Sequence, residues 1–306
     1  LADVDKAVHW RSRCTKAHEA SEQEQKDGLS QVTDMMKSLV NMEQTDFPTL
    51  VDAHIQKHCY YTRQGFLGRK KPWDVLQDIE VQIEHGEILG LVGESGCGKS
   101  TLARLLLGHQ KPTQGVVLFK NQPIPEPRSK AWRAQRAAMQ MIYQDPYGCF
   151  DARMPVIEQV AEPLMVHKNL SKEAALERAA AVLKAVGMPA HHINKLPVVM
   201  SGGQLQRAAI ARAVALEPAL LVCDEPVASL DVSIQAQVLE LLYNLRNASQ
   251  MSMLFVSHNL NVVRYICDRV VVMYLGRIVE AGDVDEIFKR PKHPYTKLLM
   301  ASTPGA

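Results

Sequence analysis

Three short stretches of this chain are apolar at nearly every position: Ile88-Leu89-Gly90-Leu91-Val92, Ala219-Leu220-Leu221-Val222-Cys223 and Met253-Leu254-Phe255-Val256-Ser257. Runs without polar alternation suit strands buried on both faces, as in a parallel sheet covered by helices. Met139-Gln140-Met141-Ile142-Tyr143 is a fourth strand with a weaker pattern. Elsewhere the period becomes helical. Lys99 to Leu107 reads as a helix stopped by Gly108, and Lys172 to Val186 has Ser171 as N-cap and Gly187 as its close. Leu205 to Leu216 is a further helix, and Ser233 to Arg246 puts Ile234, Val238, Leu241, Leu242 and Leu245 on one apolar face.

The remaining elements are shorter. Gly115 to Phe119 reads as a strand, Ser129 to Ala138 as a basic helix, and residues 147–200 as mostly helical. Arg269 to Tyr274, the turn Leu275-Gly276 and Arg277 to Glu280 make a hairpin. The pattern begins near Leu50, where Tyr60 and Tyr61 close a short strand and Gly65 to Lys71 forms a basic loop. Val75, Ile79, Val81 and Ile83 then lead to the turn His85-Gly86. The expected class is α/β with an antiparallel β part. Residues 1–49 differ in texture: a polar stretch from Ser21 to Lys26 precedes Leu29, Val32, Met35, Met36, Leu39 and Val40 at helical spacing. A linker and one amphipathic helix are expected there. Cys14, His9 and His18 in that region complete no four-ligand metal set.

Chemistry enters at the end of the first buried run. Gly93-Glu94-Ser95-Gly96-Cys97-Gly98-Lys99-Ser100-Thr101 fits G-x-x-x-x-G-K-[ST], with a strand before it and a helix after it. Glycines let successive N–H groups turn inward, and the helix adds its positive end, so the loop suits phosphates. Lys99 is expected at the β- and γ-phosphates and the Ser100 hydroxyl at Mg²⁺. Cys97, among inward N–H groups, is expected to favour its thiolate. The bland alternative is a glycine turn with no ligand, and the agreement of motif and context weighs against it.

Three other strand ends carry polar groups. Gln144 follows the Met139 run and is placed to contact Mg²⁺ or its water. Asp224 and Glu225 follow the Ala219 run, at the carboxyl edge where ligands gather in parallel sheets. Asp224 suits the Mg²⁺ shell, and Glu225, one residue further out, suits polarising a water. His258 ends the Met253 run within reach of a γ-phosphate, where an ordinary strand would hold a satisfied core histidine. Ser201-Gly202-Gly203-Gln204 opens a helix and offers a second anion site by the same physics as the first. Tyr60 or Tyr61, about forty residues before Lys99, is positioned to stack an adenine ring; a core tyrosine is an equal alternative for either.

Composition changes the picture little. A formal charge of +2 over 306 residues, with 46% apolar and 22% charged residues, argues for an ordinary core and gives no argument for nucleic acid or an acidic membrane surface; no nucleic-acid partner is expected. The six cysteines are scattered without a C-x-x-C pair, which suits free thiols in a reducing compartment. Apolar stretches fall short of a spanning helix, even Ala208 to Cys223 being broken by Arg212, Glu217 and Pro218. No signal pattern opens the sequence, and the expectation is a soluble, cytoplasmic protein.

Taken together, Gly93–Thr101, Gln144, Met200-Ser201-Gly202-Gly203-Gln204, Asp224-Glu225, Ser229–Asp231 and His258 resemble the ATP-binding subunit of an ABC transporter, from about Leu50 to the end. Tyr274-Leu275-Gly276-Arg277-Ile278-Val279-Glu280 followed by His293-Pro294-Tyr295-Thr296 resembles the oligopeptide, dipeptide and nickel importer branch, and Gln144-Asp145-Pro146-Tyr147-Gly148 agrees with it. Met200 stands where the family's signature has leucine, and Cys149-Phe150-Asp151-Ala152 departs from the branch's Ser-Leu-Asn-Pro in a stretch that faces membrane subunits.

The resemblance implies an ATPase domain over 50–306 with a helical subdomain at about 146–200. It also implies MgATP as ligand and Asp231 near the nucleotide. A second ATPase subunit would bind head to tail, each site pairing one chain's phosphate loop with the other's Ser201–Gln204 helix. Transmembrane permease subunits and, indirectly, an extracytoplasmic solute-binding protein are the implied partners, at the cytoplasmic face of the membrane. A nickel or other small-solute importer is an alternative within the branch. A soluble ABC-type ATPase of the DNA-repair kind would carry a long coiled coil, and one of the ribosome kind two complete motif sets. Neither occurs in this sequence.

Overall fold

A computed structural model describes residues 48–63 and 70–302. The expected helix between Leu29 and Val40, the residues Cys14, His9 and His18, and most of the basic loop at 65–71 lie outside the described residues. The described residues start with two long paired strands, β1 (Thr49–Arg63) and β2 (Lys70–Glu84), where the sequence suggested only a short strand ending at the tyrosines. They run antiparallel, with register shifts near Thr49 and at His58/Cys59. Bulges let a strand this long follow the twist of the core beneath it.

After β3 (Ile88–Val92) and α1 (Lys99–Leu106), β4 (Gln114–Phe119) returns to pair with β1, and β5 (Gln122–Pro123) completes a four-stranded sheet in the order β2-β1-β4-β5. α2 (Lys130–Gln135) is shorter than the basic stretch suggested, because Arg136–Ala138 tightens into a 3₁₀ turn. β6 (Met139–Ile142) then leads to α3 (Val156–Lys168) and α4 (Lys172–Ala185), the latter capped by the Ser171 hydroxyl as its sequence requires. α5 (Gly202–Val214), β7 (Leu220–Asp224), α6 (Val232–Ser249), β8 (Ser252–Val256) and α7 (Leu260–Ile266) follow. The chain closes with the hairpin β9 (Arg269–Tyr274) and β10 (Arg277–Asp283), then α8 (Val284–Lys289) and α9 (Pro294–Ala301).

The second sheet has the order β10-β9-β3-β8-β7-β6, parallel from β9 to β6 with β10 antiparallel at one edge. Its alternate residues serve two cores. Leu89, Leu91, Val222, Leu254 and Met273 pack with Leu102, Leu105 and Leu106 of α1 and with Ile55, Leu76 and Ile79 of the antiparallel sheet. Ile88, Val92, Cys223, Phe255 and Val272 pack on the other side, with Leu205 of α5, Val238 and Leu242 of α6 and Val263 of α7. That double cover is why β3 and β8 are buried at every position. No described helix is long and apolar enough to cross a membrane.

Phe255 is among the largest fully buried side chains and lies at the centre of the parallel sheet. Phe255→Ala should lower stability by about 3–5 kcal/mol, read as a drop in the urea midpoint at unchanged slope.

Candidate active site

The loop after β3 is shaped by what its backbone leaves no room for. Gly93 has φ +149°, and a Cβ there would lie 2.2 Å from the Met273 carbonyl oxygen. Gly98, the N-cap of α1 at φ +108°, would drive a Cβ to 2.7 Å from Leu76 Cδ2. Gly96, at φ +83°, would meet nothing within 4 Å of an added Cβ, so its positive φ and not crowding is what calls for glycine. Lys99 is buried, and its Nζ donates to the carbonyls of Gly93 (2.8 Å) and Glu94 (2.9 Å). The loop is tied from outside by the β9–β10 turn, where Gly276 N donates to Cys97 O at 3.1 Å. Cys97 departs from expectation: burial pushes its thiol up, and the nearby Lys99 charge only partly offsets this, so the protonated thiol is favoured.

Gln144, Glu225 and His258 come together as one cluster at the carboxyl edge of the parallel strands. Glu225 has a left-handed backbone, φ +48°, and its N–H donates to Val256 O at 2.9 Å, which locks it beside β8. Its Oε2 accepts from Gln144 Nε2 at 2.9 Å, and its Oε1 lies 3.1 Å from His258 Nδ1. Gln144, expected at the metal, thus bonds the neighbouring acid in this structure. Asp224 accepts from the Ser100 hydroxyl at 3.4 Å. Burial raises the Asp224 carboxyl above its ordinary range and the charge of Glu225 adds to this, against the Ser100 hydrogen bond and the charges of Arg104 and Lys99.

A hydroxyl and a carboxylate at this spacing form the hard-oxygen pair that Mg²⁺ takes when phosphates and waters supply its remaining ligands. Among the described residues no cluster of three or more His, Cys, Asp or Glu offers a cation site of its own. The donor set therefore fits a metal that arrives with a phosphate ligand.

Ser201 caps α5, its hydroxyl accepting from Gln204 N at 3.3 Å while Gln204 Oε1 accepts from Ser201 N at 3.1 Å. The helix begins at Gly202, earlier than the apolar pattern alone suggested. Gln204 Nε2 also contacts His192 Nδ1 at 3.1 Å. Asp231 is the N-cap residue of α6 and makes no side-chain capping bond. Among the described residues, no hydrogen bond joins Ser201–Gln204 to Gly93–Thr101.

Tyr60 and Tyr61, the aromatics expected at adenine, lie on β1. Tyr60 donates its hydroxyl to Gln110 Oε1 at 3.0 Å and sets its ring edge-on to His58. Trp73, which sequence reasoning passed over, stands directly across from Tyr60 on β2 and is 62% exposed. Directly opposed residues share a face of the sheet, and β2 passes over the loop two residues later, where Val75 O would lie 3.3 Å from a Cβ on Gly98. Tyr61, paired with Pro72, is one residue further along β1 than Tyr60 and so points to the other face.

A mixed α/β core with a glycine phosphate loop and a separate serine-glycine helix end defines an ATP-binding cassette. The chain belongs to the ABC transporter family, whose model matches residues 76–228, and it is an ATPase that binds ATP. A second model, the oligopeptide/dipeptide transporter C-terminal region, matches residues 279–306. Among relatives, the dipeptide transport ATP-binding protein DppF of Escherichia coli is 41% identical over 84% of this chain and 77% of its own length. The oligopeptide transport ATP-binding protein OppF of the same organism is 45% identical over 79% of this chain and 73% of its own. Among solved structures, cbiO1 from Clostridium perfringens, part of the ABC transporter complex cbiONQ, has a TM-score of 0.68 at 28% identity, covering 80% of this chain and 92% of that one. The ATP-binding cassette MJ0796, in a dimeric post-hydrolysis state bound to ADP and Pi, has a TM-score of 0.68 at 26% identity over 76% and 98% of the two chains.

Asp224 gives a signed pH dependence. Its folded pKa lies above the unfolded value of ~3.9, so its neutral form favours the fold; that stability is complete below about pH 4 and is lost as pH rises through the folded pKa. In metal-free buffer Asp224→Asn should therefore raise the urea midpoint at pH 7, with the gain disappearing toward pH 4. A less stable Asn variant at pH 7 would mean that the Ser100 bond outweighs burial.

Proposed function

We propose that this chain is the ATPase subunit of a peptide importer, with residues 50–306 forming the cassette and about 146–200 its helical subdomain. The observation that carries the site reading is the convergence at one sheet edge of the Glu225–Gln144–His258 cluster and the Ser100–Asp224 pair, beside Lys99. Backbone N–H groups of the loop between Ser95 and Thr101 and the Lys99 ammonium hold the phosphates, the Glu94 N–H being engaged by Tyr295. Ser100 and Asp224, with Gln144 turning from Glu225, would hold Mg²⁺, which would supply charge neutralisation at the phosphates. Glu225 takes the proton of the attacking water, and His258, already on that carboxylate, donates to the γ-phosphate. Trp73 supplies the ring platform at the adenine end, on the strand face that Tyr60 shares.

The partners follow from the family. A second ATPase subunit presents its own Ser201–Gln204 helix and Asp231 to the nucleotide held by this chain's phosphate loop, and the reverse. Dimeric structures among the structural neighbours support the pairing of two cassettes. Permease subunits receive the motion through the Gln144 segment and the helices after it, with the chain peripheral on the cytoplasmic face of the cell membrane and a solute-binding protein on the other side. Peptides are the cargo that the names of DppF and OppF and the match at 279–306 support. Purifying the intact complex and measuring its ATPase activity with peptides and with Ni²⁺ tests the cargo; stimulation by Ni²⁺ alone would overturn it.

Glu225→Gln separates the two adjacent acids by role. Glutamine keeps the size and the hydrogen bonds but cannot take a proton, so turnover should fall ~10²–10⁴-fold. MgATP binding should persist or tighten, because a negative charge near the γ-phosphate is gone. Single-turnover hydrolysis and size-exclusion chromatography with MgATP read both halves, the second as an accumulated dimer. Hydrolysis at the normal rate would leave Glu225 a structural carboxylate.

A further inference from the structure

One side chain of the C-terminal segment reaches the phosphate loop. Tyr295, buried in the first turn of α9, accepts the Glu94 backbone N–H on its hydroxyl oxygen at 3.0 Å, across 201 positions of sequence. Its place is fixed from several directions. The ring stacks on Tyr274, with centroids 4.2 Å apart and planes at 29°. His293 Nδ1 accepts from Tyr295 N at 3.2 Å and caps the helix. The two oxygens of Glu280, on β10, accept from Lys292 N (2.8 Å) and His293 N (2.9 Å), anchoring the helix start to the hairpin.

The consequence lies in a single peptide plane. Glu94 N–H and Gly93 C=O belong to the same planar trans unit, so they point in opposite directions. Tyr295 holds the N–H end. The other end, Gly93 O, accepts from Lys99 Nζ at 2.8 Å. Glycine at position 93 gives the preceding torsions their widest freedom, so the plane needs an external contact to fix its rotation.

We propose that Tyr295 is a positioning residue for the nucleotide site. By pinning the Gly93–Glu94 peptide plane it fixes the carbonyl against which the Lys99 ammonium waits, and so couples the C-terminal segment to phosphate binding. The inference rests on the reading of Lys99 as the phosphate-binding cation.

Tyr295→Phe keeps the ring and its stack on Tyr274 and removes only the acceptor. In the full-length chain, the Kd for a fluorescent ATP analogue and the KM for MgATP should rise about 2- to 10-fold, the range of one neutral hydrogen bond. The kcat should stay at the wild-type value, and the urea midpoint should fall only by the loss of one hydrogen bond, because the contact exists without nucleotide. An unchanged KM and Kd would overturn the proposal, and so would weaker binding that appears only where the variant is partly unfolded, which marks a merely structural tyrosine. Lys99→Ala, measured alongside, separates the two readings. If it binds ATP normally, the phosphate-loop assignment itself fails; if it loses binding while Tyr295→Phe does not, only the role of Tyr295 fails.

Discussion

The nucleotide edge depends on β3 being held from both faces. Its five residues are fully buried, Leu89 and Leu91 against α1 and the antiparallel sheet, Ile88 and Val92 against the helical layer. A strand clamped in that way has one exit direction, and Gly93 stands at that exit with the Met273 carbonyl too close for any side chain. The loop's conformation is thus imposed by its surroundings as much as by its glycines. Parallel neighbours carry the same constraint outward: β7 delivers Asp224 and Glu225, β8 delivers His258, and β6 delivers Gln144, all at one edge.

How much of this was legible in the sequence varies with the kind of contact. The phosphate loop and the Ser201 cap are local, since their spacing in sequence is their spacing in space, and both have the geometry the motifs require. The acids and His258 were legible one step removed, because apolar runs mark strands and strand ends mark the ligand edge. The pairing of Gln144 with Glu225 was not, as it depends on how the chain leaves β6 and on the left-handed turn at Glu225. Cys97 was misjudged because the N–H groups around it are visible in the sequence and its burial is not.

The aromatic pair across β1 and β2 and Tyr295 show where sequence reasoning stops. Trp73 and Tyr60 are neighbours through strand register, and that register shifts at His58/Cys59. No pattern in either strand alone states where such a shift falls, and a one-residue slip sends every later side chain to the opposite face. Tyr295 was legible as part of a branch motif, but its contact with Glu94 joins the two ends of the ATPase fold.

The donors at the start of α5 divide between two tasks. A helix N-terminus leaves its first N–H groups without intrahelical acceptors. Ser201 N is taken by Gln204 Oε1, Gln204 N by the Ser201 hydroxyl, and Leu205 N by Ser201 O. Among the described residues, the N–H groups of Gly202 and Gly203 make no hydrogen bond, and both belong to residues without a side chain to shield them. The capping box therefore uses the serine and glutamine to hold the helix end rigid and leaves the glycine donors to an acceptor from outside. The phosphate loop of the same chain makes no contact of that kind with them. Holding the helix end rigid and presenting donors to an outside acceptor therefore fall to different backbone groups of one turn, the N–H groups of Ser201, Gln204 and Leu205 serving the first and those of Gly202 and Gly203 the second.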